Sequence, residues 1–134
     1  MEQHIRANAE LVRRVAREEL GETVDYDEAG VRWLDEYLNT QREVAVADVK
    51  ERLPNTLGAF LGECIRQQYG GLWLNDPAMG WAVKISERLT VNPFGKVQKQ
   101  LTSAEGESVL SFFGTIKILQ AQSVAPARRW WQFW

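Results

Sequence analysis

The sequence predicts an α+β fold: N-terminal helices, a small antiparallel meander of two to three strands, then C-terminal helices. Three observations carry this reading. Apolar residues recur every three to four positions through the first half of the chain. Gly70-Gly71 then stops a helix and is followed at once by strand-like runs, Leu72-Trp73-Leu74 and Trp81-Ala82-Val83-Lys84-Ile85. After Asn92-Pro93 the helical spacing returns.

Ile5, Ala9, Val12, Ala16 and Leu20 set the buried stripe of a first helix over 4–20, with Gly21 as its stop and Arg13, Arg14 and Arg17 outward. Asp25 or Asp27 caps a second helix, with Glu28 in its first turn, where the dipole favours an anion. Val31, Leu34 and Leu38 are its inner row, with Trp33 and Tyr37 alongside. Residues 46–52 read as one or two separate helical turns. Pro54 suits the first position of a third helix, where its missing donor costs nothing.

That third helix carries Leu57, Leu61, Cys64 and Ile65 on one face, with Phe60 beside them. Gly58 and Gly62 share a face, and each costs about 1 kcal/mol relative to alanine, which implies a close crossing. Asn75-Asp76-Pro77-Ala78-Met79-Gly80 is the turn between the first two strands, and Leu89-Thr90-Val91 is the candidate third. Alternation puts Trp81, Val83 and Ile85 on one sheet face. Asn92 and Pro93 start a fourth helix with Phe94, Val97 and Leu101 inward. A last helix from Glu105 to Ala121 buries Val109, Phe112, Ile116 and Leu119.

Residues 1–122 form a single domain, and 123–134 are an aromatic and arginine tail of different composition. With 45% hydrophobic and 25% charged residues over 134 positions, the chain can close one core without staples. A net charge of -2 provides no global field for nucleic acid. Acids outnumber bases over 20–63, whereas 84–134 hold seven bases against three acids. Such asymmetry orients a partner or a second copy, although solvated faces produce it too.

Cys64 is the only cysteine, which rules out an internal disulfide and thiol metal clusters. The first residues lack a signal-peptide apolar core, and no apolar run approaches bilayer length, so the expected address is cytoplasmic. His4 is the single histidine and lies near a terminus, which leaves histidine acid–base catalysis little to use. No catalytic residues, metal ligands or cofactor site are assigned. Glu63 and Arg66 read as an i,i+3 surface pair.

Two sets of residues are candidates for binding. Trp73, Trp81, Lys84, Asn92, Lys96 and Lys99 gather where the sheet meets the fourth helix, a tentative site for a small molecule or an anion. The structural alternative is stronger for each: tryptophans complete a small core, and lysines sit on solvated faces. Arg128, Arg129, Trp130, Trp131, Phe133 and Trp134 form the second set, an anchor-rich segment for a protein partner. Left bare it would aggregate, and docking on its own domain or on a second copy fits better than membrane contact.

The strings Leu57-Gly58-Ala59-Phe60-Leu61-Gly62-Glu63, Tyr69-Gly70-Gly71-Leu72-Trp73, Gly80-Trp81-Ala82-Val83 and Asn92-Pro93-Phe94-Gly95-Lys96-Val97 resemble a small bacterial domain family of unknown function. The resemblance covers about residues 24–119. It implies a bacterial, cytoplasmic α+β domain and carries over no active-site residue. The expected role is a non-enzymatic protein-interaction or regulatory domain that self-associates as a homodimer. The alternative is a small-molecule or anion-binding domain using the tryptophan and lysine face.

Overall fold

A computed structural model describes residues 1–124. Its elements run α1 (Glu2–Leu20), α2 (Glu28–Val44), α3 (Ala47–Tyr69), β1 (Leu72–Asp76), β2 (Gly80–Ser86), β3 (Leu89–Val91), α4 (Pro93–Thr102) and α5 (Val109–Val124). The α+β order is as the sequence predicts, and all three strands are present in one antiparallel sheet ordered β1-β2-β3. No helix among the described residues is long and apolar enough to cross a membrane.

The long helix α3 is the spine. Residues 57–65 are buried on every side, because α1, α2, α4, α5 and β2 all pack against it. Val31, Leu34 and Leu38 of α2 and Ile5, Ala9, Val12 and Ala16 of α1 reach the same core. Trp73, Val83 and Val91 are register partners across the three strands and therefore share the sheet face that enters it. Ala82, one position along β2, is also fully buried, though it points to the other face. Gly70 (φ 79°) and Gly71 (φ 136°) make the turn from α3 into β1 in backbone conformations that side-chain-bearing residues avoid.

Several expectations change. Leu20, the last residue of α1 before Gly21, is 49% exposed rather than buried. Arg13 does not face outward: Nε donates to the Val24 carbonyl (3.0 Å), and the two terminal nitrogens donate to Glu10 (2.9 Å) and Asp25 (2.7 Å). These bonds fasten the α1–α2 connection. Residues 47–69 are one unbroken helix with Pro54 inside it. The proline deprives the Lys50 carbonyl of its usual amide, a loss that is tolerable where both residues border an open groove. The Lys50 ammonium meanwhile ties this end of α3 to α2, donating to the Arg42 carbonyl at 2.7 Å.

The last helix begins at Val109, four residues later than the periodicity suggests. Gln100 is the reason: its side-chain oxygen captures the Val109 amide at 2.8 Å, while Ser108 Oγ accepts from the Ser111 amide at 3.1 Å. Leu119 of this helix is 39% exposed, not buried, and Phe113 takes the inner position. The tail residues Arg128, Arg129, Trp130, Trp131, Phe133 and Trp134 lie outside the described residues.

Candidate functional site

Glu63 and Arg66 are a buried pair rather than a surface one. The Glu63 side chain is 5% exposed, and Arg66 clasps it through Nε (2.8 Å) and Nη2 (3.1 Å). The Trp73 indole donates to the same carboxylate at 2.8 Å. Burial pushes the Glu63 carboxyl up, but the bonds from Arg66 and Trp73, with the charges of Arg66 and Arg6, outweigh it and hold the carboxyl below 4.5. Both of its oxygens are engaged inside the fold. Trp73 is thereby placed in the core, its ring against Gly62 and Pro93 and tilted on Phe94 at 5.8 Å.

The lysines named with it are answered separately. Lys84 pairs with Glu87 at 3.4 Å, and Lys96 pairs with Glu107 at 3.5 Å while lying 4.7 Å from the Phe112 ring centre. Lys99 is exposed on α4. Asn92 caps α4, accepting from the Gly95 amide at 3.2 Å. Of the six residues, only Trp81 and Asn92 come together on one concave surface.

That surface is an open groove of about 980 Å³ between the start of α1, the first half of α3, the β1–β2 turn and α4. Ile5, Pro54, Met79, Trp81 and Phe94 form its apolar walls, interleaved with the amides of Asn8, Asn55, Asn92 and Gln98. His4, Lys50 and Glu51 add its ionisable groups. Met79 at the turn is 43% exposed.

Farther along α1, toward its C-terminal half, lies an apolar slot of about 160 Å³. Trp33 and Tyr37 stack at 5.2 Å along its floor, and Val15, Leu20, Leu53 and Leu57 complete it. The Thr56 hydroxyl within it donates to the Leu53 carbonyl at 3.3 Å and so is already used. Sequence spacing places Trp33 and Tyr37 on the second helix but gives no sign that α1 leaves them half-covered. The exposure of Val15 (41%) and Leu20 is the structural signal.

A third set of polar groups is structural. Gln100 donates to Asp35 Oδ1 (3.0 Å) and Asn39 Oδ1 (3.1 Å), and Arg42 donates to the Gln100 carbonyl at 2.8 Å. Arg42 Nε is buried without a hydrogen bond, since Glu43 at 3.8 Å is close enough for an ion pair only. Cys64 is fully buried, and desolvation pushes its thiol well above the usual range. Among the described residues, no group of three or more His, Cys, Asp or Glu side chains is placed to hold a metal ion.

No protein-family model, curated protein or solved structure matches the chain. Its geometry alone bears on function.

Proposed function

We propose that the chain is a non-enzymatic interaction or regulatory domain of the bacterial cytoplasm that associates with copies of itself. The apolar slot between α1, α2 and α3 supports this most directly. Its lining is mostly aliphatic and aromatic, and covering Val15, Leu20, Trp33 and Tyr37 is favourable in proportion to the apolar area removed from water. Such a surface gains from a protein contact and has little to offer chemistry. The bacterial and cytoplasmic parts of the reading rest on the family resemblance and on the sequence. Light scattering after size exclusion, over a hundredfold range of concentration, tests self-association. A dimer mass is expected, and a monomer mass at every concentration overturns it.

A second reading draws on the groove, where Trp81 and Asn92 meet beside Lys50 and His4. Its volume lies at the upper end of the range for small-molecule sites, roughly 300–1,000 Å³. In this reading an amphiphilic anion lies on Trp81 with its polar end among the amides. Anilinonaphthalene sulfonate is the probe: saturable binding lost in Trp81→Ala supports it, and equal binding by that variant refutes it.

A further inference from the structure

We infer that the groove beside Trp81 binds a short neutral saccharide, with the indole as the platform for a sugar ring and side-chain amides as the partners of its hydroxyls. The inference rests on the second reading above only in that the groove is a small-molecule site. It puts a neutral ligand in place of the anion.

Trp81 carries the aromatic half of the argument. It stands near the start of β2, opposite Asn75, half-buried and lining the groove. Among the described residues it stacks on no other ring, and its indole N–H meets no acceptor. Trp73, the other tryptophan of the sheet, has both, a ring contact with Phe94 and a bond to Glu63. The face of an indole carries negative potential. The C–H groups on the flat side of a pyranose complement it, while the ring's hydroxyls point away.

The amides supply the other half. Asn8 of α1, Asn55 of α3 and Gln98 of α4 enter the groove from three helices. None of their side-chain amides is hydrogen-bonded among the described residues. Asn92 adds amide donors, because its cap on α4 uses only the oxygen. Gln100, by contrast, commits both ends of its amide to the fold. A side-chain amide offers a donor and an acceptor side by side, which two vicinal hydroxyls answer. The Glu51 carboxylate, also unpaired among the described residues, can accept from two hydroxyls at once.

Other ligands match less well. No arginine is among the described residues lining the groove, the Lys50 ammonium is already held by the Arg42 carbonyl, and Glu51 repels an anion. A peptide is bound through a free strand edge, a continuous apolar channel or a basic cluster. Here the hairpin contributes only Met79 and Trp81, and amides interrupt the apolar walls. Size agrees with several linked rings: a cavity of about 150 Å³ holds one benzene, and the groove measures about 980 Å³.

Isothermal titration calorimetry on the full-length chain, with maltotetraose, cellotetraose and chitotetraose, is the test. At least one is expected to bind saturably with a Kd below about 1 mM. The double variant Asn55→Ala, Gln98→Ala changes two exposed helical positions, so the fold is kept while binding is expected to weaken about tenfold. Trp81→Ala, or Trp81→Leu should alanine unfold the sheet, is expected to abolish binding. Saccharide binding that either variant leaves unchanged overturns the assignment. A chain that takes up anilinonaphthalene sulfonate at Trp81 but no saccharide overturns the ligand class and leaves the second reading standing. Failure to bind either overturns both. Acetylated and amidated tetra-alanine binding as tightly, with the same loss in both variants, would give the groove to peptide backbone and overturn the saccharide.

Discussion

The six-membered ring of Trp73 lies so close to Gly62 that a methyl group on the glycine would occupy the same space. Pro93 closes the site at 3.1 Å from that hypothetical methyl. One missing side chain on the central helix is thus the seat of one of the sheet's two tryptophans. Gly58, one turn earlier, stands in the same relation to Phe94, whose Cα would be 2.9 Å away. The two glycines let the hairpin and α4 lie against α3 at contact distance.

Gly62→Ala is expected to cost about 2 kcal/mol, the usual penalty for overpacking a filled core. The same substitution in a Trp73→Phe background should cost much less, because the smaller ring vacates the contested space. Urea unfolding of the four proteins of the cycle measures the difference. Additive costs would mean that the two residues do not meet as described.

Glu63 links the same tryptophan to Arg66, and its titration gives stability a defined acid limb. A carboxyl held below 4.5 in the folded state stabilises the fold fully above that pH and loses the contribution as pH falls through its folded value. Glu63→Gln is expected to lower stability by about 2 kcal/mol at pH 7, since the buried charge-assisted bonds to Arg66 are weakened. The gap between variant and parent should shrink steadily below pH 4.5. A gap that stays constant down to pH 3 would show that the carboxylate's charge is not what Arg66 recognises.

Gln100 joins α4 to α2 and to the first amide of α5 through one side chain. Gln100→Leu keeps the volume and abandons the buried Val109 amide, for an expected loss of about 2 kcal/mol. Fraying should concentrate at the start of α5, where amide exchange of residues 109–112 is the readout. Unchanged protection there would disprove the capping role.

Asn92→Ala should cost about 1 kcal/mol through loss of the cap on α4, whereas Asn92→Asp should be nearly neutral. Thermal melts separate them by roughly 3–4 °C. Equal losses in both would indicate that Asn92 is held by something other than the Gly95 amide.

Much of this fold was legible in the sequence because periodicity reports burial directly. Val31, Leu34 and Leu38 repeat at helical spacing and are all fully buried; Trp81, Val83 and Ile85 alternate and share a face. Pro54 misled for a physical reason. Proline marks a helix start by local preference, but here helical turns precede it, and the packing of residues 57–65 fixes the axis they extend. The start of α5 was hidden because its cap is Gln100, nine positions away and on another helix. Glu63 illustrates the same limit: spacing reveals the pairing with Arg66, but only the third dimension brings an indole to the carboxylate. The groove was half visible through Trp81 and Asn92, whereas Asn8 and Asn55 reach it only because α1 crosses α3. Nothing local marks the slot, since Trp33 and Tyr37 would look the same if fully covered.

Pro54 also divides α3 into parts of unequal tenacity. Downstream, residues 57–65 are enclosed by other elements and can open only when the whole domain does. Upstream, Ala47 to Leu53 is largely solvent-facing, and the rung that would fasten its last turn is missing. These first turns can therefore melt and reform while the core stays shut. Because Ala47, Lys50 and Glu51 wall the groove, one of its sides is built from the less tightly held part of α3. That rim is the least costly part of the groove to open, since few backbone bonds hold it.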